Sequence, residues 1–324
     1  MRILKNNKSL PVIILLLVLI PVAVILQMDG GSTKQEKRKH VSMIVYGDDA
    51  ERWENMREGA ALVCEDRESD LSLLTMMSEN DTAEQKEIIE RETEDGANAL
   101  VIAACNSSEI KDYVENRNLK IPVVFLETVS STEGGNEYIA PDDYKMGYEL
   151  GEEMLKNESD IATVAIVSEN TKRDSVALRE KGFTDAVDGK IGKMVKWSRN
   201  EYEAKANTRM FLQRAIVSEA TDVIVTFDNS TTDALLDALE NLNKTRKVYS
   251  ISTSNKAVYN LYNKQIIALG YPDEFSMGYL AAMYALDRGE AVKKYGDKKI
   301  GYRIVRREDM YDENNQKLLF PFVD

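Results

Sequence analysis

Short apolar runs alternate with longer stretches whose apolar residues recur at helical spacing from residue 41 almost to the end of the chain. The clearest unit spans 161–187. Residues 161–167 read as a buried strand and 168–174 as a polar loop. A helix follows, carrying Leu178-Arg179-Glu180-Lys181-Gly182-Phe183. Val176, Phe183, Ala186 and Val187 fall on one face of that helix, with Arg179 pointing off it near the first turns. An earlier copy occupies 41–65: a strand at 41–46, the loop Gly47-Asp48-Asp49, and a helix containing Met56-Arg57-Glu58-Gly59-Ala60. Gly59 and Gly182 hold equivalent places, where a helix lacking a side chain is expected to lie close against a sheet. Two such beginnings about 120 residues apart imply two similar lobes. The polar loops at the carboxyl ends of their sheets would then face each other across a cleft.

The remaining pattern fits the same plan. Strands are expected at 71–77, 99–104 and 121–126, and helices at 82–94, ended by Gly96, and 107–115. The run at 121–126 is nearly continuous in apolar residues, as in a strand covered on both faces. Residues 130–136 read as a turn-rich loop, after which Asp142 opens a helix with Met146, Leu150 and Met154 on one side. In the second half, strands are expected at 191–197, 223–227, 248–251 and 266–269. The helices between and after them are expected at 202–218, 231–241, 255–263 and 275–288. This alternation predicts an α/β fold of two similar, doubly wound, parallel-sheet lobes.

The amino-terminal segment departs from that rhythm. Residues 10–28 carry no charge, and Arg2, Lys5 and Lys8 precede them. An apolar stretch of about 17 residues just reaches spanning length, and basic residues on its near side favour a cytoplasmic amino terminus. No cleavage pattern and no lipid-accepting cysteine follow it. A transmembrane signal anchor at 1–28 is therefore expected, a removed signal peptide being the alternative, with the folded part extracytoplasmic either way. Residues 29–40 form a tether with a reach of about 40 Å when fully extended.

Composition narrows the functions. The 324 residues, 43% hydrophobic and 30% charged, suffice for two domains with their own cores. A net charge of −13 repels phosphate backbones, so nucleic acid is not an expected partner. The one histidine, His40, lies in the tether, which removes most histidine-based catalysis and histidine-rich metal sites. Cys64 and Cys105 read as buried thiols, a disulfide between them being the other option. No phosphate-cradling glycine loop and no Gly-x-Ser-x-Gly occurs. The acidic pairs Asp48/Asp49 and Asp142/Asp143 lack a calcium-loop pattern and read as solvated turns. Neither a cofactor nor a metal is expected.

Certain segments carry a family likeness: Arg-Glu-Lys-Gly-Phe at 179–183, Asp-Gly-Ala-Asn-Ala-Leu-Val-Ile at 95–102 and Ile-Pro-Val-Val at 121–124. Ala-Pro-Asp-Asp-Tyr-Lys-Met-Gly at 140–147 and Phe-Ser-Met-Gly-Tyr-Leu-Ala at 275–281 extend it. In their order and spacing the chain resembles the type I periplasmic binding proteins, in the ribose- and galactose-binding branch. Their fold also forms the effector core of lac-type repressors. No helix-turn-helix precedes the core here, which sets the repressor reading aside. The resemblance implies a three-crossing hinge near Ala140-Pro141, Gly270-Tyr271 and Ile300-Gly301. Lobe 1 would comprise 41–140 plus 272–299, and lobe 2 would comprise 141–271 plus 300–324. Ligand would bind between them, and hinge closure would bury it.

Carried over by position, Arg179 matches the family's sugar-binding arginine and Asn229 its asparagine. Trp53 falls where first-lobe aromatic platforms occur, Tyr202 matches a second-lobe aromatic, and Glu127 stands where an aspartate is usual. Asp48 and Asp49 serve either as helix-start acids or as hydroxyl acceptors. Ser252 stands at the end of Ser250-Ile251-Ser252, where Gly-Phe-Asp is common, and Asp273 falls where a glutamine is expected. Thr128 replaces a common arginine, and Ser230 an aspartate. The expectation is a non-catalytic binding protein that closes on a small polar ligand, a monosaccharide. It would serve either ABC-type uptake through a membrane permease or sensing with a histidine kinase. Two alternatives are a ligand-free interaction module and a glycoside hydrolase using Glu127 with Asp48 or Asp273.

Overall fold

The structure, a computed structural model, describes residues 38–129, 136–159, 161–199, 207–296 and 299–320. The apolar segment at 10–28 lies outside the described residues, and among those described no helix is long and apolar enough to cross a membrane.

The chain begins with β1 (His40–Ile44), α1 (Glu54–Asp66), β2 (Asp70–Leu74), α2 (Thr82–Glu94), β3 (Ala99–Ile102), α3 (Ser107–Arg117), β4 (Val123–Leu126) and β5 (Glu137–Ile139). These strands form a five-stranded sheet in the order β2-β1-β3-β4-β5. Every pairing in it is parallel, Val41 lying opposite both Leu71 and Ala99. Ala-Leu-Val-Ile in β3 and Val-Val-Phe-Leu in β4 are buried at every position. Such runs suit strands covered on both faces.

The chain then enters α4 (Asp143–Asn157), β6 (Thr163–Val167), α5 (Asp174–Val187), β7 (Lys193–Trp197), α6 (Thr208–Ser218), β8 (Val223–Thr226), α7 (Asn229–Asn241), β9 (Lys247–Ile251), α8 (Asn255–Tyr262) and β10 (Ile266–Pro272). Next come α9 (Glu274–Leu286) and α10 (Arg288–Tyr295), then β11 (Tyr302–Arg306) and α11 (Glu313–Leu319). The second sheet has six strands in the order β11-β10-β9-β8-β6-β7. Although α9 follows β10 directly, it packs on α1 and on β3 and β4 of the first sheet. The chain then returns to place β11 beside β10.

Two features differ from the sequence expectation. The sheets are not wholly parallel, because β11 runs antiparallel to β10. It is an edge strand with Arg303 and Arg306 along it, and charged edges resist pairing with other chains. The glycines at 59 and 182 face helices, not sheets. A Cβ on Gly182 would collide with the carbonyl oxygen of Tyr144 on α4, and one on Gly147 of α4 with the carbonyl oxygen of Arg179 on α5. The first lobe repeats this reciprocity: Gly59 of α1 abuts Phe275 of α9, and Gly278 of α9 abuts Met56 of α1. Each lobe is thus clamped by one helix pair in backbone-to-backbone contact at two glycines.

Backbone atoms cannot yield as a flexible side chain would. Gly182→Ala should therefore destabilise the protein by about 2–3 kcal/mol, the scale of overpacking in a tight core. Gly289→Ala on α10, where the nearest atom to a Cβ is Asp287 Oδ1 at 3.6 Å, should be neutral or slightly stabilising. Urea unfolding midpoints of the two variants check this; equal midpoints would disprove the clamp.

Candidate functional site

Loops from the carboxyl ends of both sheets enclose a cavity of about 600 Å³. The first lobe contributes Tyr46 to Asp49, the short turn Glu51–Trp53, Glu54 and Asn55 at the start of α1, and Glu79. The second contributes Arg173, Asp228 to Ser230, Asp233 and Thr253 to Lys256. Tyr271 and Glu274 complete it where the chain passes between lobes, together with Leu319 and Phe320 near the carboxyl terminus.

Beside the cavity runs a continuous chain of charges, built by the two helix clamps. On α4, Asp143 precedes Gly147 by one turn, and the Arg179 backbone lies against Gly147. Arg179 Nε therefore reaches Asp143 Oδ1 at 2.7 Å, and its Nη1 donates to the Phe227 carbonyl at 3.0 Å. On α9, Glu274 precedes Gly278 by one turn, and Met56, which Gly278 abuts, follows Arg52 by one turn. Arg52 Nη1 donates to Glu274 Oε1 at 2.5 Å. Glu127 links the two pairs. Its carboxylate accepts from Arg52 Nη2 at 2.9 Å and from the Tyr46 hydroxyl at 3.0 Å, and lies 4.0 Å from Arg179 Nη2. The Glu127 backbone adopts the left-handed region, φ +63°, a conformation non-glycine residues hold only when their surroundings impose it. Thr253 Oγ1 extends the chain from Glu274 into the second lobe at 2.7 Å. Burial holds the Asp143 carboxyl up to about 6, against the opposing pull of Arg179. Burial likewise raises Glu274, against Arg52.

The residues singled out from the sequence separate into two groups. Trp53, Asn229, Asp48 and Asp49 line the cavity. Trp53 is fixed by its indole N–H donating to the Tyr46 carbonyl at 3.2 Å and by edge contact with the Tyr46 ring. Asn229 accepts from the Thr253 N–H at 2.9 Å and from Ser252 Oγ at 3.1 Å. Asp49 accepts from the Glu51 N–H at 3.0 Å, a turn-starting role. Arg179, Glu127, Ser252 and Asp273 are not among the lining residues. Arg179 and Glu127 belong to the buried charge chain, Ser252 supports Asn229, and Asp273 caps α9 by accepting from the Ser276 N–H at 3.0 Å. Tyr202 lies outside the described residues, as does the first part of the helix expected at 202–218. The pair Asp142/Asp143 is not a solvated turn. Asp142 caps α4, and Asp143 is 3% exposed because the α4–α5 crossing buries it.

Arg173 was not foreseen. Its side chain, 1% exposed, comes from the loop before α5, with its guanidinium 3.8 Å from the centre of the Tyr46 ring. Nη2 donates to Glu79 Oε1 at 2.8 Å and Asn80 Oδ1 at 3.0 Å, tying the second lobe to the first. Nη1 is 4.0 Å from Asp228 Oδ2, and neither Nη1 nor Nε has a hydrogen-bond partner among the described residues. Buried N–H groups are rarely left so. Arg173 stands in the wall of a cavity whose lining is otherwise rich in carboxylates. The loop carrying Arg173 also docks directly on the first lobe, where the Ser107 N–H donates to the Lys172 carbonyl at 3.0 Å and the Asp174 N–H to the Thr128 carbonyl at 3.1 Å. Cys64 and Cys105 are free, buried thiols, both raised to about 11, chiefly by burial.

A family model described as the periplasmic binding protein domain matches residues 41–291. Comparison with curated proteins finds no match. Among solved structures, the chain is similar to a carbohydrate transporter solute binding protein from Agrobacterium radiobacter, in complex with D-arabinose. The TM-score is 0.74 at 18% identity, covering 88% of this chain and 100% of that one. It is similar also to GanP, a glucose-galactose binding protein from Geobacillus stearothermophilus, with TM-score 0.71, 16% identity, and coverage of 85% and 100%. A chain of the XylFII–LytSN complex gives TM-score 0.71 at 16% identity, with coverage of 84% and 99%. At these identities the likeness is one of fold.

The charge chain makes a pH dependence. The folded value of Asp143 lies above that of an unfolded aspartate, so between the two the folded state holds the extra proton. Stability from this group is present below about pH 4 and is lost as pH rises through about 6, by on the order of 2–3 kcal/mol in all. Asp143→Asn should flatten that part of the profile. Urea unfolding free energies measured from pH 4 to 7 check it, and an unchanged slope would contradict the assignment.

Proposed function

Since this chain belongs to the periplasmic binding protein domain family, we propose that it is a non-catalytic receptor whose lobes enclose a monosaccharide. The observation that carries this reading is the mixed lining of one cavity between loops of both lobes, where aromatic residues stand beside Arg173, Asn229 and Ser230. A sugar ring meets both demands: its hydroxyls exchange hydrogen bonds with polar groups, and its C–H face packs on apolar surface. The same hydroxyls donate to carboxylates, which Asp48, Glu79, Asp228 and Asp233 supply. An anionic ligand would meet repulsion from those acids. The similar structures from Agrobacterium radiobacter and Geobacillus stearothermophilus are named as carbohydrate- or sugar-binding proteins, which supports a sugar here. The hydrolase alternative loses its footing, because Glu127 is engaged by Arg52 and Tyr46, and Asp273 by the start of α9.

The test is a melting-temperature screen against D-arabinose, D-galactose, D-glucose, D-xylose and D-ribose. A sugar at one hundred times its Kd adds about 2.7 kcal/mol to the stability of the folded state. Arg173→Lys should reduce the shift at least tenfold in affinity, because an ammonium cannot reproduce the guanidinium fork. No shift with any sugar would sink the reading.

The ribose- and galactose-binding branch, an extracytoplasmic location and anchoring through residues 10–28 belong to the same proposal. They are supported by the matching segments and by that uncharged apolar run behind three basic residues. Two uses follow, delivery to a membrane permease and signalling through a histidine kinase. The existence of XylFII in a complex with LytSN is an instance of a similar fold working with a partner protein. An anchored chain should stay with the membrane after an alkaline carbonate wash and bring its partner with it into detergent. Recovery in the soluble fraction would refute the anchor.

A further inference from the structure

We propose that Leu319 and Phe320, at the end of α11, are a fitted wall of the ligand cavity and decide which sugars it admits. This rests on the reading of that cavity as a sugar site. Polar groups make up most of what the second lobe contributes: Arg173, Asp228, Asn229, Ser230, Thr253 and their neighbours. Its apolar contribution comes from Tyr271, Leu319 and Phe320. Across the cavity the first lobe offers Trp53 and Tyr46. A sugar ring carries apolar C–H surface as well as its hydroxyl edge, and the terminal segment supplies much of the apolar surface available on the second lobe.

The segment is positioned, not merely adjacent. Leu319 is 5% exposed and belongs to the second lobe's core together with Tyr271. Phe320 stacks on Tyr311 at 6.3 Å with an interplanar angle of 11°, and its N–H donates to the Gln316 carbonyl at 2.9 Å. The turn leading into α11 is tied by Asn315 Nδ2 donating to the Asp309 carbonyl at 2.9 Å. Because α11 packs on β10, the strand that leads into the hinge, the wall moves with the second lobe when the lobes separate.

Two variants test this: Phe320→Ala, and a chain ending at Leu319 so that the core residue is kept. Cooperative melting followed by circular dichroism shows that the lobes remain folded. Binding of the sugar found in the screen should weaken at least tenfold in both variants, and the ranking among the five sugars should change. Unchanged affinity and ranking in variants of a chain that binds sugar overturn the wall while leaving the sugar reading intact. If no sugar binds the full-length chain, the sugar reading fails and the wall's role in selection is overturned with it.

Discussion

The close approach of two helix pairs is the constraint on which the site depends. Wherever α5 meets α4, and α1 meets α9, glycine lets one backbone touch the other. At that separation the acid one turn before the glycine on one helix stands within reach of an arginine from the facing segment. The second lobe yields Arg179–Asp143, with the arginine at the contact itself, and the first Arg52–Glu274, with the arginine one turn before it, ahead of α1. Each helix clamp thus delivers a guanidinium–carboxylate pair. Glu127 is then placed to touch both guanidinium groups, and its left-handed backbone is a consequence of being held there.

Such a buried chain is not a source of large stability. Taking each charge out of water costs several kcal/mol, and the pairing mostly offsets that cost. Its contribution is specificity of arrangement. A carboxylate between two arginines from different lobes is satisfied in one relative placement of those lobes, and loses a partner in others. The chain therefore favours a defined juxtaposition of the lobes without filling the cavity.

The layered fold was legible because continuous apolar runs such as Val-Val-Phe-Leu have one economical solution, a strand covered on both faces. The elements missed were those with weak periodicity: three-residue β5, the amphipathic edge β11, and the short helices α10 and α11. Sequence spacing showed that Gly59 and Gly182 were equivalent, but spacing reports which face a residue occupies and not what covers it. Asp143 illustrates the same limit. Beside Asp142 it looked like half of a solvated turn, and its burial arises only because α5, some thirty residues later, crosses at Gly147. Asn229 and Trp53 were placed on the cavity by register with a known family. Arg173, Leu319 and Phe320 belong to no periodic pattern, so only the assembled structure brings them to the cavity.

Arg173 stands in the cavity wall and joins the two lobes. It rises from the second lobe, stacks on Tyr46 of the first and donates to Glu79 and Asn80 there. Its remaining N–H groups, buried without acceptors, each carry a penalty of about 1–3 kcal/mol while they stay unpaired. A buried guanidinium stays in place only where the groups around it are fixed, so the contacts to Tyr46, Glu79 and Asn80 favour the placement of the lobes in which all three are kept. The charge chain through Glu127 and the contacts of Arg173 therefore hold the same juxtaposition of the two lobes independently.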